Sequence, residues 1–327
     1  MNETNILDRS LVLGAVRTTE AAAIAASKLV GLGDEKKADQ AAVDAMRRML
    51  GDLDINGTVV IGEGERDEAP MLFIGEKVGR GGNQIDIALD PLEGTTITAN
   101  GGPGALAVLA MAENGGFLHA PDVYMDKIAV GGNLPDGVVD LDLTPSQNIN
   151  NLAEAKNVPP DSLIACVLDR PRHSKIIEEI RLTGARIRLI PDGDVAGVIA
   201  TADLETGVDI YMGVGGAPEG VLAAAALTCI GGQMQGRLVF RNDDEKKRAT
   251  ATGIKDLEKK YKLNQLAQGD VLFAATGVTD GSMLNGVKVN KKYISTHSLV
   301  MRAKTGTIRK IHAEHEIDKA LSGIAKL

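Results

Sequence analysis

The chain has 327 residues, 44% of them apolar and 24% charged, which excludes long disorder and leaves room for two domains with cores of their own. A net charge of −8 disfavours a dedicated nucleic-acid binder, which needs a basic surface to displace counterions. Aromatic residues are only 2% and Trp is absent, so the cores must be packed from Ala, Val, Ile, Leu and Met.

In chain order, the first predicted element is an Ala-rich helix from about Leu7 to Val30, closed by Gly31-Leu32-Gly33. A second helix follows from about Lys36 to Leu50, with Asp34 placed to cap it and an apolar stripe of Val43, Met46 and Leu50. Asp39 lies four residues before Val43 and therefore falls on that inward stripe. A carboxylate there needs a partner: a salt bridge or capping contact is the commoner outcome, a cation the sharper one.

The strand Thr58–Ile61 leads into Gly62-Glu63-Gly64-Glu65, with Asp67 and Glu68 close behind. The strand Ile85–Leu89 runs into Asp90-Pro91-Leu92-Glu93-Gly94-Thr95-Thr96 and is expected to end at Asp90, because Pro91 cannot donate to a ladder. Residues 105–112 read as a buried strand, and Ala120-Pro121-Asp122-Val123-Tyr124-Met125-Asp126-Lys127 precedes another. Composition turns polar over Asp140 to Asp161, and a domain boundary is expected there, dividing residues 1–155 (α+β, metal-binding) from 156–327 (α/β, substrate-binding).

Beyond that point strands and helices alternate. Strand Leu163–Leu168 precedes Asp169-Arg170-Pro171-Arg172, strand Arg186–Ile190 precedes Pro191-Asp192-Gly193-Asp194, and strand Val208–Val214 precedes Gly215-Gly216-Ala217-Pro218-Glu219-Gly220. This order predicts a largely parallel sheet with a ligand site beyond the strands' carboxyl ends. Residues 243–262 read as a charged, solvated helix or loop.

The chemistry concentrates in these post-strand segments. Asp90 projects from a strand end and the next turn returns Glu93 toward it, with Gly94 closing the turn and Thr95-Thr96 opening the next. Two carboxylates so placed repel unless a cation bridges them, and hard oxygen ligands suit Mg²⁺ or Mn²⁺. Glu63, between glycines after a strand, can reach a shared site. Glu219 follows Pro218 in a helix's first turn, a favourable place for an acid in any protein. Arg170 and Arg172 fit phosphate oxygens as well as they fit surface salt bridges. Cys166 and Cys229 lie in apolar runs and read as buried reduced thiols. No Gly-x4-Gly-Lys-Ser/Thr loop is present, and Gly102-x-Gly104-x-x-Ala107 precedes a strand instead of opening a helix. His312 and His315 are spaced for one helix face and read as surface residues. The N-terminus carries no secretory pattern and no apolar run reaches about 18 residues, so a cytoplasmic location is expected.

Taken together, Gly62 to Met71, Asp90 to Thr95, Ala120 to Met125, Arg170 to His173, Pro191 to Asp194 and Gly215 to Gly220 resemble the class II fructose-1,6-bisphosphatases. The segment Asp90 to Thr95 is also similar to the signature of the wider lithium-sensitive phosphatase superfamily. The resemblance implies a two-domain layered α-β-α-β-α sandwich of the α/β class, and a homo-oligomer, dimer or tetramer. It implies hydrolysis of the 1-phosphate of a sugar bisphosphate in gluconeogenesis, with no nucleic-acid or membrane partner. Metal ligands map to Asp39, Glu63, Asp90, Glu93 and Glu219, holding Mn²⁺ or Mg²⁺, which for Asp39 favours the cation over the salt bridge. Catalytic roles map to Thr95, Asp34 and Glu63. Substrate contacts map to Glu93, Gly94, Thr95, Tyr124, Arg170, Pro171, Arg172, Asp192, Gly193, Asp194 and Gly216. Where Arg170 stands, the family often has Lys, and Glu35 takes the place of a Lys for which Lys36 or Lys37 are the stand-ins. The rival expectations are a sedoheptulose-1,7-bisphosphatase, an inositol-type monophosphatase or a non-catalytic metal- and phosphate-binding regulator.

Overall fold

The computed structural model describes residues 7, 9–64, 72–317 and 319. Chain contacts divide it into two compact units, one of residues 1–117 with 269–327 and one of residues 118–268. The polar stretch around residues 140–161, where the sequence suggested a boundary, lies inside the second unit. Its polarity comes from an exposed helix surface and the turn after it.

In the first unit, helices α1 (Arg9–Ser27) and α2 (Glu35–Gly51) precede strands β1 (Ile55–Ile61), β2 (Lys77–Val78) and β3 (Asn83–Glu93), a short helix α3 (Thr95–Asn100) and strand β4 (Leu106–Glu113). α2 starts where expected because Asp34 accepts a hydrogen bond from the Lys37 amide at 3.0 Å. The second unit contains β5 (Tyr124–Gly131), α4 (Pro145–Lys156), β6 (Ile164–Leu168), α5 (Ser174–Leu182), β7 (Arg186–Ile190), α6 (Asp194–Ile199), β8 (Ile210–Gly216), α7 (Ala217–Ile230), β9 (Gly232–Val239), α8 (Asp243–Ala251), β10 (Lys260–Lys262) and α9 (Leu263–Leu266). The chain then returns to the first unit with β11 (Val271–Gly277), β12 (Lys288–Val289), β13 (Tyr293–Arg302) and β14 (Thr307–Glu316).

Among the described residues, the first unit's sheet runs β12-β13-β11-β4-β3-β1-β2, with β14 also on β13. Only β1 and β3 pair in parallel. α1 and α2 pack on each other and on one sheet face, where Ala22, Ala42, Met46, Ile87, Leu89, Leu109 and Leu272 form an aliphatic core. Burying such side chains contributes about 25 cal/mol per Å² of apolar surface, which makes this face the main source of the unit's stability.

The second unit's sheet runs β10-β9-β5-β8-β6-β7. β6 is parallel to β7 and β8, as alternation predicts. β5, β9 and β10 add antiparallel pairings, so the sheet is mixed, not largely parallel. Strand β9 follows α7 through a single glycine at Gly231 and returns alongside β5, a pairing that local alternation cannot reveal. Ile128, Val130, Ala165, Val167, Ile210 and Met212 face α4 and α5 in one core. Residues 127 and 129 alternate to the other face, which meets α6 and α7. α8 occupies part of the segment expected to be solvated, but its Glu245 is only 2% exposed.

The two sheets layered with helices make this an α/β protein, as the sequence implied. Among the described residues no helix is long and apolar enough to cross a membrane.

Candidate active site

In the first unit, β1 delivers the chain to Gly62, where an added Cβ would sit 2.2 Å from the Leu72 carbonyl oxygen. Only glycine fits, and the close approach lets the Glu63 amide donate to that same carbonyl at 3.0 Å. Glu63 is half-buried there. Glu65, Asp67 and Glu68, with the rest of that motif to Met71, lie outside the described residues.

β3 does not end at Asp90 as expected; it continues through Pro91 to Glu93. Asp90 pairs with Val108 and Glu93 with Leu106, so three steps on β3 meet two on β4. The extra residue is a β-bulge at the point where Pro91 offers no N–H, and the bulge absorbs the missing donor. It also changes which way the acids face. In a regular strand, residues three apart lie on opposite faces. Here their pairing partners are two apart on β4, so Asp90 and Glu93 come to the same side. Asp90 Oδ1 accepts from the Leu92 amide at 3.0 Å, and Glu93 is 5% exposed. Gly94, at φ 91°, turns the chain so that α3 opens at half-buried Thr95.

Asp39 and Asp34 differ in kind. Asp34 is exposed and engaged, its two oxygens taking the Lys37 amide and ammonium at 3.0 and 2.9 Å, which hold its carboxyl below the usual range. It is a helix cap in this structure, and Lys37 is its partner. Asp39 is half-buried with no hydrogen bond or ion pair among the described residues, and burial raises its carboxyl. The salt bridge that would have satisfied it is absent from the described residues.

In the second unit, the carboxyl ends of β6, β7 and β8 and the amino end of antiparallel β5 lie at one end of the sheet. This brings Arg170–Arg172, Asp192–Asp194, Gly215–Glu219 and Tyr124 to the same edge, as the strand-end rule requires. Arg172 donates from Nε and Nη2 to the Val214 carbonyl at 2.9 and 2.7 Å, and its guanidinium carbon lies 5.0 Å from the Tyr124 ring centroid. Arg170 reaches Asp192 at 3.7 Å, an exposed pair of little energetic weight.

Three residues there were not assigned roles by sequence reasoning. His173 is fully buried, and its Nδ1 meets the Leu168 carbonyl at 2.8 Å while its Nε2 accepts the Val214 amide at 2.8 Å. An amide can only donate, so the proton must sit on Nδ1 and the ring is neutral; burial accordingly lowers its pKa. The imidazole thus ties the Arg170–Arg172 turn to β6 and β8. Lys127, 1% exposed, forms an ion pair with Asp194 and donates to the Gly216 carbonyl at 2.8 Å. A Lys directly before the apolar stretch Ile128-Ala129-Val130 was the available signal. The third is Arg241, beside Tyr124.

Asp194 and Glu219 lie against the backbone of Gly215 and Gly216. An added Cβ at Gly215 would be 2.1 Å from Asp194 Oδ2, and one at Gly216 would be 1.9 Å from Glu219 Oε2. A side chain at either position would have to displace these carboxylates. Asp194 has Lys127, but Glu219 Oε2 is shut off from solvent with no hydrogen-bond partner. Burial, then the charge of Asp194, push the Glu219 carboxyl up to about 7 against the pull of Lys127. Two buried carboxylates share one ammonium, which leaves a surplus negative charge that a cation would neutralise. Among the described residues, no three Asp, Glu, His or Cys side chains close on one point.

A family model described as bacterial fructose-1,6-bisphosphatase, glpX-encoded, matches residues 9–315. The chain is 45% identical over 326 aligned positions to fructose-1,6-bisphosphatase 1 class 2 of Escherichia coli (strain K12), covering 95% of this chain and 96% of that protein. The class 2 fructose-1,6-bisphosphatases of Escherichia coli O6:H1 and Shigella flexneri match with the same identity and coverage.

Proposed function

Because the chain belongs to the glpX-encoded family of bacterial fructose-1,6-bisphosphatases, we propose that it hydrolyses fructose 1,6-bisphosphate at the 1-phosphate, giving fructose 6-phosphate and inorganic phosphate. The observation that carries this reading within the structure is the Glu219 carboxylate, buried, unsatisfied and raised to about 7, in a chain matched along its length by that family.

Asp39, Glu63, Asp90, Glu93 and Glu219 are the proposed ligands of a divalent ion, Mn²⁺ or Mg²⁺. The donor set fits: all are hard carboxylates, Asp39 has no protein cation among the described residues, and Glu219 has an unused buried oxygen. When bound, such an ion supplies Lewis-acid polarisation of phosphoryl oxygens and acidifies a nearby water. Thr95 orients that water at the start of α3. A hydroxyl of such high pKa cannot hold the abstracted proton, so Thr95 passes it to a carboxylate, with Glu63 the proposed acceptor. Asp34 would have to release Lys37 to share that task. Water attacks phosphorus, the bond from phosphorus to the sugar oxygen breaks, and the leaving oxygen takes up the proton that Glu63 received from the water. Tyr124, Arg170 and Arg172 hold the distal 6-phosphate, so binding energy remote from the reaction fixes the orientation of the scissile group. Gly94, Pro171, Gly193 and Gly216 shape the backbone around the substrate, and Asp192 and Asp194 set the positions of Arg170 and Lys127. The enzyme is proposed to act in the cytoplasm as a homo-oligomer.

The test is phosphate release from fructose 1,6-bisphosphate and sedoheptulose 1,7-bisphosphate, each with Mn²⁺, with Mg²⁺ and with a chelator. Release from the fructose substrate that depends on the ion supports the reading. No release from it under any condition overturns it, and a strong preference for the longer sugar would reassign the substrate.

A further inference from the structure

Tyr124 begins β5 and pairs with Gly216 of β8 on one side and Val239 of β9 on the other. Arg172 reaches its ring from the β8 side, where it is fixed to the Val214 carbonyl. Just beyond the end of β9, Arg241 also places its guanidinium carbon over the same ring, 5.1 Å from the centroid. Arg241 is held more firmly than an ordinary surface arginine. Its Nε and Nη2 meet Glu245 Oε1 at 2.6 and 2.5 Å, and its own amide donates to Glu245 Oε2 at 2.7 Å. Glu245 is 2% exposed and is itself fixed in the first turn of α8, where its amide donates to the cap residue Asn242 at 2.9 Å. Guanidinium and carboxylate brace each other, and the pair braces the ring.

We propose that Arg241, anchored by Glu245, is a positioning residue that clamps the Tyr124 ring between the β8 and β9 sides and so preorganises the distal-phosphate subsite. The inference rests on the reading of Tyr124, Arg170 and Arg172 as that subsite. A tyrosine at a strand terminus would otherwise lose side-chain freedom on each binding event, and prior clamping removes that cost. Two guanidinium groups over one ring are also favoured by the ring's electron-rich face, and their mutual repulsion falls when a phosphate dianion enters. Arg172 and Arg241 each have one edge committed, to Val214 and to Glu245, and one Nη1 outside those contacts.

The experiment uses the full chain carrying Arg241→Gln, Arg241→Lys or Glu245→Gln, with kcat and KM measured for fructose 1,6-bisphosphate and for fructose 1-phosphate. Binding of fructose 6-phosphate is titrated calorimetrically in parallel, and the unfolding midpoint of each variant is recorded. Arg241→Gln should raise KM for the bisphosphate about tenfold, the size of one lost preorganised contact, with kcat within about twofold. KM for fructose 1-phosphate should not move. Arg241→Lys keeps the charge but not the planar stack and should recover only part of the affinity. If Arg241→Gln unfolds the region, Glu245→Gln, which loosens the anchor while keeping its shape, should raise the bisphosphate KM in the same sense. An unchanged bisphosphate KM in folded variants, or an equal rise for both substrates, overturns the proposal. Should the unaltered chain release no phosphate from any sugar bisphosphate, the catalytic reading fails on its own. The calorimetric comparison still decides the clamp: weaker fructose 6-phosphate binding by Arg241→Gln upholds it, and equal binding overturns it.

Discussion

Replacing Glu219 with glutamine should stabilise the metal-free protein at alkaline pH while removing its response to divalent ions. The carboxyl is pushed from 4.5 to about 7 by burial and by Asp194. A raised carboxyl disfavours its charged form in the folded chain, so the sign is opposite to that of a salt-bridged acid. The penalty is absent below pH 4.5, where the group is protonated folded and unfolded, grows through the interval, and is complete above about pH 7. At about 1.4 kcal/mol per pH unit the interval amounts to about 3 kcal/mol. Glutamine removes the charge but puts an amide where Oε2 has no hydrogen-bond partner, at a cost of about 1 kcal/mol. The net expectation is a gain of about 2 kcal/mol near pH 8 and a loss of about 1 kcal/mol near pH 4. Urea unfolding in a chelating buffer, repeated across that range, measures both ends. In a second series with Mn²⁺, the unaltered protein should gain stability and the variant should gain much less. A variant no more stable than its parent near pH 8 in the chelator would refute the claim that this carboxylate is held at a cost for a cation.

Lys127→Met leaves Asp194 and Glu219 buried without their ammonium and should lower the unfolding free energy by about 3–5 kcal/mol near neutral pH. A loss below about 1 kcal/mol would contradict the pairing. Thr95→Ala should cut turnover by at least about 100-fold while leaving fructose 6-phosphate affinity unchanged, and near-normal turnover would remove Thr95 from the mechanism. Arg172→Ala should raise KM for fructose 1,6-bisphosphate more than for fructose 1-phosphate, and equal effects on both would count against a distal-phosphate role.

How much of this was legible in the sequence depends on the range of the interaction. The Asp34 cap, the α2 helix and the strand-then-motif order at Asp90, Arg170, Asp192 and Glu219 follow from periodicity, Pro and Gly placement and cap chemistry, all of which act over a few residues. The family motifs favoured the cation for Asp39, which helical spacing had left open, and gave Glu63 a ligand's role beyond its place after a strand. The mixed pairing of the second sheet was not legible, because β5 and β9 are more than a hundred residues apart in sequence order from Tyr124 to Val239. Nor was the return of residues 269–316 to complete the first sheet, because no local pattern encodes which strand a later strand will join.

By itself the sequence determined the α/β class, the order of its main elements and which polar residues stand at or after strand ends, since these depend on backbone sterics and on the spacing of apolar side chains. Only the tertiary structure decided what those polar residues do to one another. It turned Asp90 and Glu93 to one side through a bulge, buried Lys127 against Asp194, and left Glu219 with an oxygen that nothing satisfies. The physical reason is that desolvation and pairing depend on distances between remote segments, and those distances are set only when the sheets have formed.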